Sequence, residues 1–155
     1  MAQKTIELIA RGALIHNGRL LLCRNRKHGH AFLPGGHVEF AEPAREALAR
    51  EIREELGMEL VPRRFLGTME ACFRQSKAGQ ESAGRRHHEV NLVFELLTTP
   101  GDELDPAALQ SREKHIEFIW VSLEDLLADP PALTVLPPGI LKLIVADQTW
   151  HSEWK

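Results

Sequence analysis

The chain has 155 residues, enough for one domain with a real core, and its 43% apolar and 26% charged residues are ordinary for a soluble globular protein. A net charge of −3 argues against sequence-independent binding to nucleic-acid polymers, and no apolar stretch approaches a membrane span. The N-terminus lacks the basic-then-apolar plan of a signal peptide. Cys23 and Cys72 stand in apolar segments without metal-type spacing, so buried free thiols in a cytoplasmic protein are expected.

In chain order, residues 5–15 read as a strand and 19–24 as its hairpin partner, joined by the two-residue turn Asn17-Gly18. Residues 24–30 form a basic loop, a short strand follows at 31–33, and Pro34-Gly35-Gly36 turns the chain towards a helix. Pro43 suits that helix's first turn, and Gly57 its left-handed cap. Strands are expected at 63–73 and 88–98, the second with Val90, Leu92, Phe94 and Leu96 alternating. Between them, residues 75–87 are rich in Ser, Gly, Lys and Arg and read as a long mobile loop. A strand at 116–121 leads into a short helix at 123–127 with Ser122 as N-cap, and residues 139–147 read as a last amphipathic helix. Trp150 and Trp154 in the tail leave three readings open: packing on the body, a dimer contact, or disorder. Mixed strands with a central and a terminal helix imply an α/β protein with helices on both faces of a sheet.

The helix before Gly57 carries the chemistry. Leu48, Ile52 and Leu56 make an apolar stripe, and Glu51, Glu54 and Glu55 project beside it within about 100° of arc. Three carboxylates at this spacing repel one another, and they sit at the helix end where the macrodipole disfavours negative charge. A hard divalent cation, Mg²⁺ or Mn²⁺, would turn that repulsion into a binding site.

Gly36, Glu42, Arg50, Glu51, Ile52, Glu54, Glu55, Gly57 and Met58 match every fixed position of the Nudix box, G-x5-E-x7-R-E-U-x-E-E-x-G-U, with U a bulky aliphatic residue. A chance match is on the order of one in ten million. The chain therefore resembles the Nudix hydrolases over this motif, and its remaining elements fit the same layout. The resemblance implies a single Nudix domain over residues 1–155, an α/β/α sandwich with a mixed sheet, and hydrolysis of the pyrophosphate linkage in a nucleoside diphosphate joined to another group X.

By motif position, Glu51, Glu54 and Glu55 resemble the family's metal ligands, with the backbone carbonyl of Gly35 completing the set and Mg²⁺ (or Mn²⁺ in its place) as cofactor. Arg50 is expected to orient the carboxylates. Glu42 corresponds to the first box glutamate, Glu39 is a weaker candidate in the same turn, and Ala41 stands where relatives often have glycine. Glu54 is the leading candidate for activating water, with Glu113, in the loop before the strand at 116–121, as the alternative. Arg24, Arg26 and Arg86 are candidates for substrate phosphate, against the reading that each is a solvated charge. Trp120 reads as core. The chain has no tyrosine, and no proline between Pro62 and Pro100, features that mark other substrate classes in the family. A nucleoside triphosphate is favoured by elimination, with ADP-ribose or a nucleotide sugar as alternatives and a nucleotide-sensing domain without catalysis as a further one. The partner is a small-molecule nucleotide, with no nucleic-acid polymer or membrane, and a homodimer is left open.

Overall fold

The computed structural model describes residues 5–77, 80–146 and 149–154, with side chains throughout except at 75–77, 80–85 and 153–154. Its elements are β1 (Glu7–Ala13), β2 (Ile15–His16), β3 (Arg19–Asn25), β4 (Ala31–Phe32), β5 (Gly35–His37), α1 (Ala44–Leu56), β6 (Leu60–Lys77) and β7 (Gln80–Thr98). A 3-10 turn (Pro106–Ala108), β8 (Ile116–Ser122), α2 (Leu123–Leu127), β9 (Val135–Leu136), α3 (Lys142–Val145) and β10 (Trp150–Trp154) complete the chain.

Two sheets stack. The first runs β10-β6-β7-β1-β5, mixed in direction because β7 lies parallel to β1 and β10 parallel to β6. In the second, β8 follows one edge of β3, while β2 and β4 share the other and β9 extends β4. β3 is buried on both faces. Leu20 and Leu22 enter a core with Met69, Val93, Ile140 and Leu143, and Leu21 enters a second core with Leu48, Ile52, Leu56, Phe94 and Leu96. Helix α1 caps the second core and α2 and α3 flank the first, so the expected α/β class with helices on both sides holds, built on two sheets instead of one. Both cysteines are free and buried. Among the described residues no helix is long and apolar enough to cross a membrane.

The structure corrects three sequence expectations and selects among the readings left open for the tail. The strand expected at 5–15 divides at Leu14, because β1 is paired on both edges by β5 and β7, leaving only Ile15–His16 for the hairpin with β3. The turn itself is as expected, with Asn17 and Gly18 both at positive φ (49° and 72°). Residues 75–77 and 80–87 are strand, not loop: Phe73 pairs with His87, Arg74 with Arg86 and Lys77 with Gln80. A backbone ladder needs no apolar side chains, so composition misled; positions 78 and 79 lie outside the described residues. The last helix covers only Lys142–Val145. Finally, the tail packs on the body as β10, its Trp150–Trp154 backbone paired with Thr68–Cys72 although the Trp150 side chain is 57% exposed.

Candidate active site

Helix α1 begins after Pro43, whose fixed φ of −64° suits a helix entry, and ends at Gly57, which adopts φ 69° and donates its N–H to the Arg53 carbonyl. Ala47, Leu48, Ile52 and Leu56 face the core. That packing leaves Glu51, Glu54 and Glu55 on the flank turned towards β5, the segment Gly35–His37.

Two glycines let the helix approach. A Cβ on Gly36 would stand 2.3 Å from the Glu51 carboxyl carbon and within 2.6 Å of both its oxygens. At Gly35, φ is 138° and a Cβ would stand 2.0 Å from the Ala10 carbonyl oxygen. The Glu51 carboxylate therefore lies directly over the turn, and Gly35 donates its N–H to Glu55 Oε2 at 3.4 Å.

Arg50 organises the acids. Its Nε and Nη2 meet the two oxygens of Glu42 at 2.8 and 3.0 Å, a bidentate pair, while Nη1 reaches Glu51 Oε1 at 2.9 Å and Glu54 Oε2 at 3.5 Å. Nη2 also donates to the His37 carbonyl at 3.1 Å, tying the helix to β5. The Arg50 guanidinium, helped by the Glu39 N–H, holds the Glu42 carboxyl at about 2. Glu55 goes the other way. Burial, with the like charges of Glu51 and Glu113, pushes its carboxyl up to about 7 against the opposing pull of the Gly35 N–H and Arg11.

Glu113 reaches the site through its loop. The Arg112 N–H meets the Glu55 carbonyl at 3.4 Å, the Arg112 guanidinium lies against Gly57, and Ser111 Oγ accepts the Glu113 N–H at 3.1 Å. The structure thus brings together Gly35, Gly36, Glu39, Glu42, Arg50, Glu51, Glu54, Glu55, Gly57 and Glu113. The three arginines offered as candidates for phosphate, against solvated charges, lie as follows. Arg24 is ion-paired with Glu117 at 2.6 Å, on the opposite face of β3 from Cys23, whose thiol feels Glu55 and Glu113. Arg26 is exposed, and Arg86 is exposed with its Nε on Cys72 Sγ at 3.1 Å.

The candidate ligands Glu51, Glu54 and Glu55 and the Gly35 carbonyl all offer oxygen, the ligand chemistry of Mg²⁺ or Mn²⁺ and not of a thiophilic metal. Glu51 is fixed, Glu55 is partly buried, and Glu54, 60% exposed with one 3.5 Å contact, is free to change rotamer. Among the described residues no three side-chain ligands already converge, so binding a cation would require the carboxylates to rearrange.

Beside the box a cavity of about 330 Å³ opens between the sheets, lined among others by Glu7, Arg11, Phe32, Phe73, His87 and Glu89. Sequence reasoning missed this wall. Arg11 donates from Nε to the buried Asn91 at 3.2 Å and from Nη1 to the Leu33 carbonyl at 3.0 Å, and lies over the Phe32 ring at 5.5 Å. Glu7 joins His87 (2.7 Å) to His37 (3.0 Å), linking the cavity to the glycine turn. The available signal was polar residues at every second position of one strand, His87, Glu89 and Asn91, with Glu7 and Arg11 on either side of Ile9 along one face of another.

The NUDIX domain family model matches residues 7–141. The chain belongs to the Nudix family. The nucleoside triphosphatase NudI of Escherichia coli O81 (strain ED1a) is 30% identical over 133 residues, 82% of this chain and 87% of that protein. The MutT protein from Methanosarcina mazei Go1 superposes with a TM-score of 0.58 at 26% identity, covering 82% of this chain and 84% of its own. The solution structure of the E. coli ORF135 protein gives 0.59 at 22% identity, covering 93% and 90%, a likeness of fold. The Nudix box at residues 36–58 is thus the α1 site described above, and the protein is a Nudix pyrophosphohydrolase acting on small nucleotide substrates.

Proposed function

We propose that this Nudix enzyme is a Mg²⁺-dependent nucleoside triphosphate pyrophosphohydrolase, releasing a nucleoside monophosphate and pyrophosphate. The observation that carries the reading is the Arg50 fork. One guanidinium holds Glu42 and Glu51 and touches Glu54, while Glu55 lies on the glycine turn, which gathers hard-oxygen donors along one flank of α1. Glu51, Glu54 and Glu55 would hold the cation, with the Gly35 backbone beside them. When bound, it supplies charge neutralisation for the anhydride and a lowered pKa for water. The chain's own part is positioning: Arg50 restrains Glu51, and Glu54, or alternatively Glu113, would accept a proton from the attacking water. The triphosphate reading rests on the likeness to NudI, a protein named for that activity.

The test is product analysis over a panel of ribo- and deoxyribonucleoside triphosphates, ADP-ribose, nucleotide sugars and dinucleoside polyphosphates, with Mg²⁺, Mn²⁺ or EDTA. Pyrophosphate and monophosphate from triphosphates, lost in EDTA, is the expected result. Turnover confined to ADP-ribose or nucleotide sugars would replace the substrate, and turnover unaffected by EDTA would remove the metal.

A further inference from the structure

Arg11 and Glu89 stand on neighbouring strands, β1 and β7, and both line the cavity. The protein completes neither. Arg11 uses Nε and Nη1, and its Nη2 has no acceptor among the described residues. Among the described residues Glu89 receives a single long hydrogen bond, from Asn91 Nδ2 to Oε2 at 3.4 Å. The two feel each other's charge yet form no ion pair with each other among the described residues. Glu7, by contrast, is held by two histidines. A guanidinium and a carboxylate that face a cavity with hydrogen-bonding capacity to spare can each engage a polar group that enters it.

Resting on the triphosphate reading above, we propose that this cavity receives the nucleobase and that Arg11 and Glu89 select guanine, the guanidinium donating to its carbonyl oxygen and the carboxylate accepting from its ring N–H and exocyclic amino group. The cavity volume falls at the lower end of the range of about 300–1,000 Å³ typical of small-molecule pockets. Phe32 and Phe73 offer apolar surface to a flat ring. The box carboxylates Glu51 and Glu55 lie within electrostatic reach of Arg11, so phosphates at the box and a base in the cavity form one continuous site.

The order of donors and acceptors decides the base. Guanine presents an acceptor beside two donors, matching a guanidinium beside a carboxylate. Uracil and thymine flank their ring N–H with two carbonyls and would set one of them against Glu89. Adenine would bring an amino group to Arg11 and a ring lone pair to Glu89, and cytosine likewise turns a ring lone pair on the carboxylate.

The experiment compares kcat/KM for GTP, ITP, ATP, CTP and UTP in the wild type and in Glu89→Gln, alongside binding of GMP and IMP in EDTA by ligand-observed NMR. GTP should lead each other base by at least about tenfold, and ITP, which lacks only the 2-amino group, should fall by a similar factor. Glu89→Gln should bring the GTP/ITP ratio close to one. The wild-type GTP/ITP comparison needs no variant, so a folding failure in Glu89→Gln would not remove the test. GMP bound in preference to IMP without turnover of any triphosphate would support the pocket and refute the reaction. Triphosphate turnover without a guanine preference, or a GTP/ITP ratio unchanged in a folded Glu89→Gln, would overturn the pocket.

Discussion

Gly36→Ala separates the site from the fold. Gly36 does not use left-handed backbone, so alanine fits the chain there; the obstacle is the Glu51 carboxylate, 2.3 Å from the new Cβ where ordinary contact begins at 3.4 Å. The carboxylate must retreat by about 1 Å, the difference of those two distances. It is the far end of a flexible side chain, so the fold loses chiefly the 2.9 Å Arg50–Glu51 contact. After discounting for its partial exposure, that contact is worth about 1 kcal/mol, or roughly 2–4 °C in Tm for a domain of this size. The site loses more, because a misplacement of about 1 Å in a catalytic group costs on the order of 10²-fold. The assay is kcat/KM at saturating Mg²⁺ beside a thermal melt. Activity within about threefold of wild type would refute the placement of Glu51 over the glycine turn, since no such displacement is that cheap. A fall in Tm beyond about 10 °C would show instead that Gly36 serves the backbone.

Other consequences follow from the same geometry. Glu55, at about 7, binds its proton more tightly folded than unfolded, so in the metal-free protein its contribution to stability is fully present below the ordinary carboxylate value of 4.5. Stability then falls as pH rises through 7, by on the order of 2–3 kcal/mol, whereas Glu42, held at about 2, contributes stability that is lost only as pH falls below 4.5. Urea midpoints at pH 5 and 8 in EDTA read this. Glu55→Gln should flatten the dependence, and a rise in stability with pH across that window would contradict it. Ala41 holds φ 62°, a left-handed conformation that a Cβ disfavours. Ala41→Gly should therefore raise stability by about 0.5–1 kcal/mol with turnover unchanged, and a lower melting temperature would show that the turn is not strained there. Glu54→Gln should lower kcat by orders of magnitude with the fold intact, whereas Glu113→Gln should cost less than about tenfold if Glu54 activates the water. The reverse ranking would assign that role to Glu113.

What the sequence revealed depended on how local each signal was. The acidic helix was legible residue by residue because helical spacing converts sequence directly into a face, and Pro43, Gly57 and Ser122 mark helix ends by short-range chemistry. Ser122 indeed caps α2, accepting the Asp125 N–H at 3.0 Å. The pairing of Arg50 with the box carboxylates was expected because acids crowded on one face need a cation among them. β10 was not, because its pairing with β6 is a long-range event between backbones and its side chains carry little apolar pattern. Nor was the division of the first strand at Leu14, which depends on which strands reach its edges. The Arg11–Glu89 wall required knowing that β1 and β7 are neighbours in parallel register, which no spacing along the chain encodes. Arg24 shows a limit of chain position as a guide: it could be read as a phosphate candidate or a solvated charge, and which partner it takes, Glu117, depends on the pairing of β3 with β8.

The most direct test of the central claim, that the box helix is a divalent-cation centre, is calorimetric titration of Mn²⁺ into the wild type and into Glu51→Gln. The account predicts a saturable site in the wild type, weakened by at least about tenfold in a variant that still melts cooperatively. Equal affinity in the two proteins, or no saturable binding to the wild type, would contradict it.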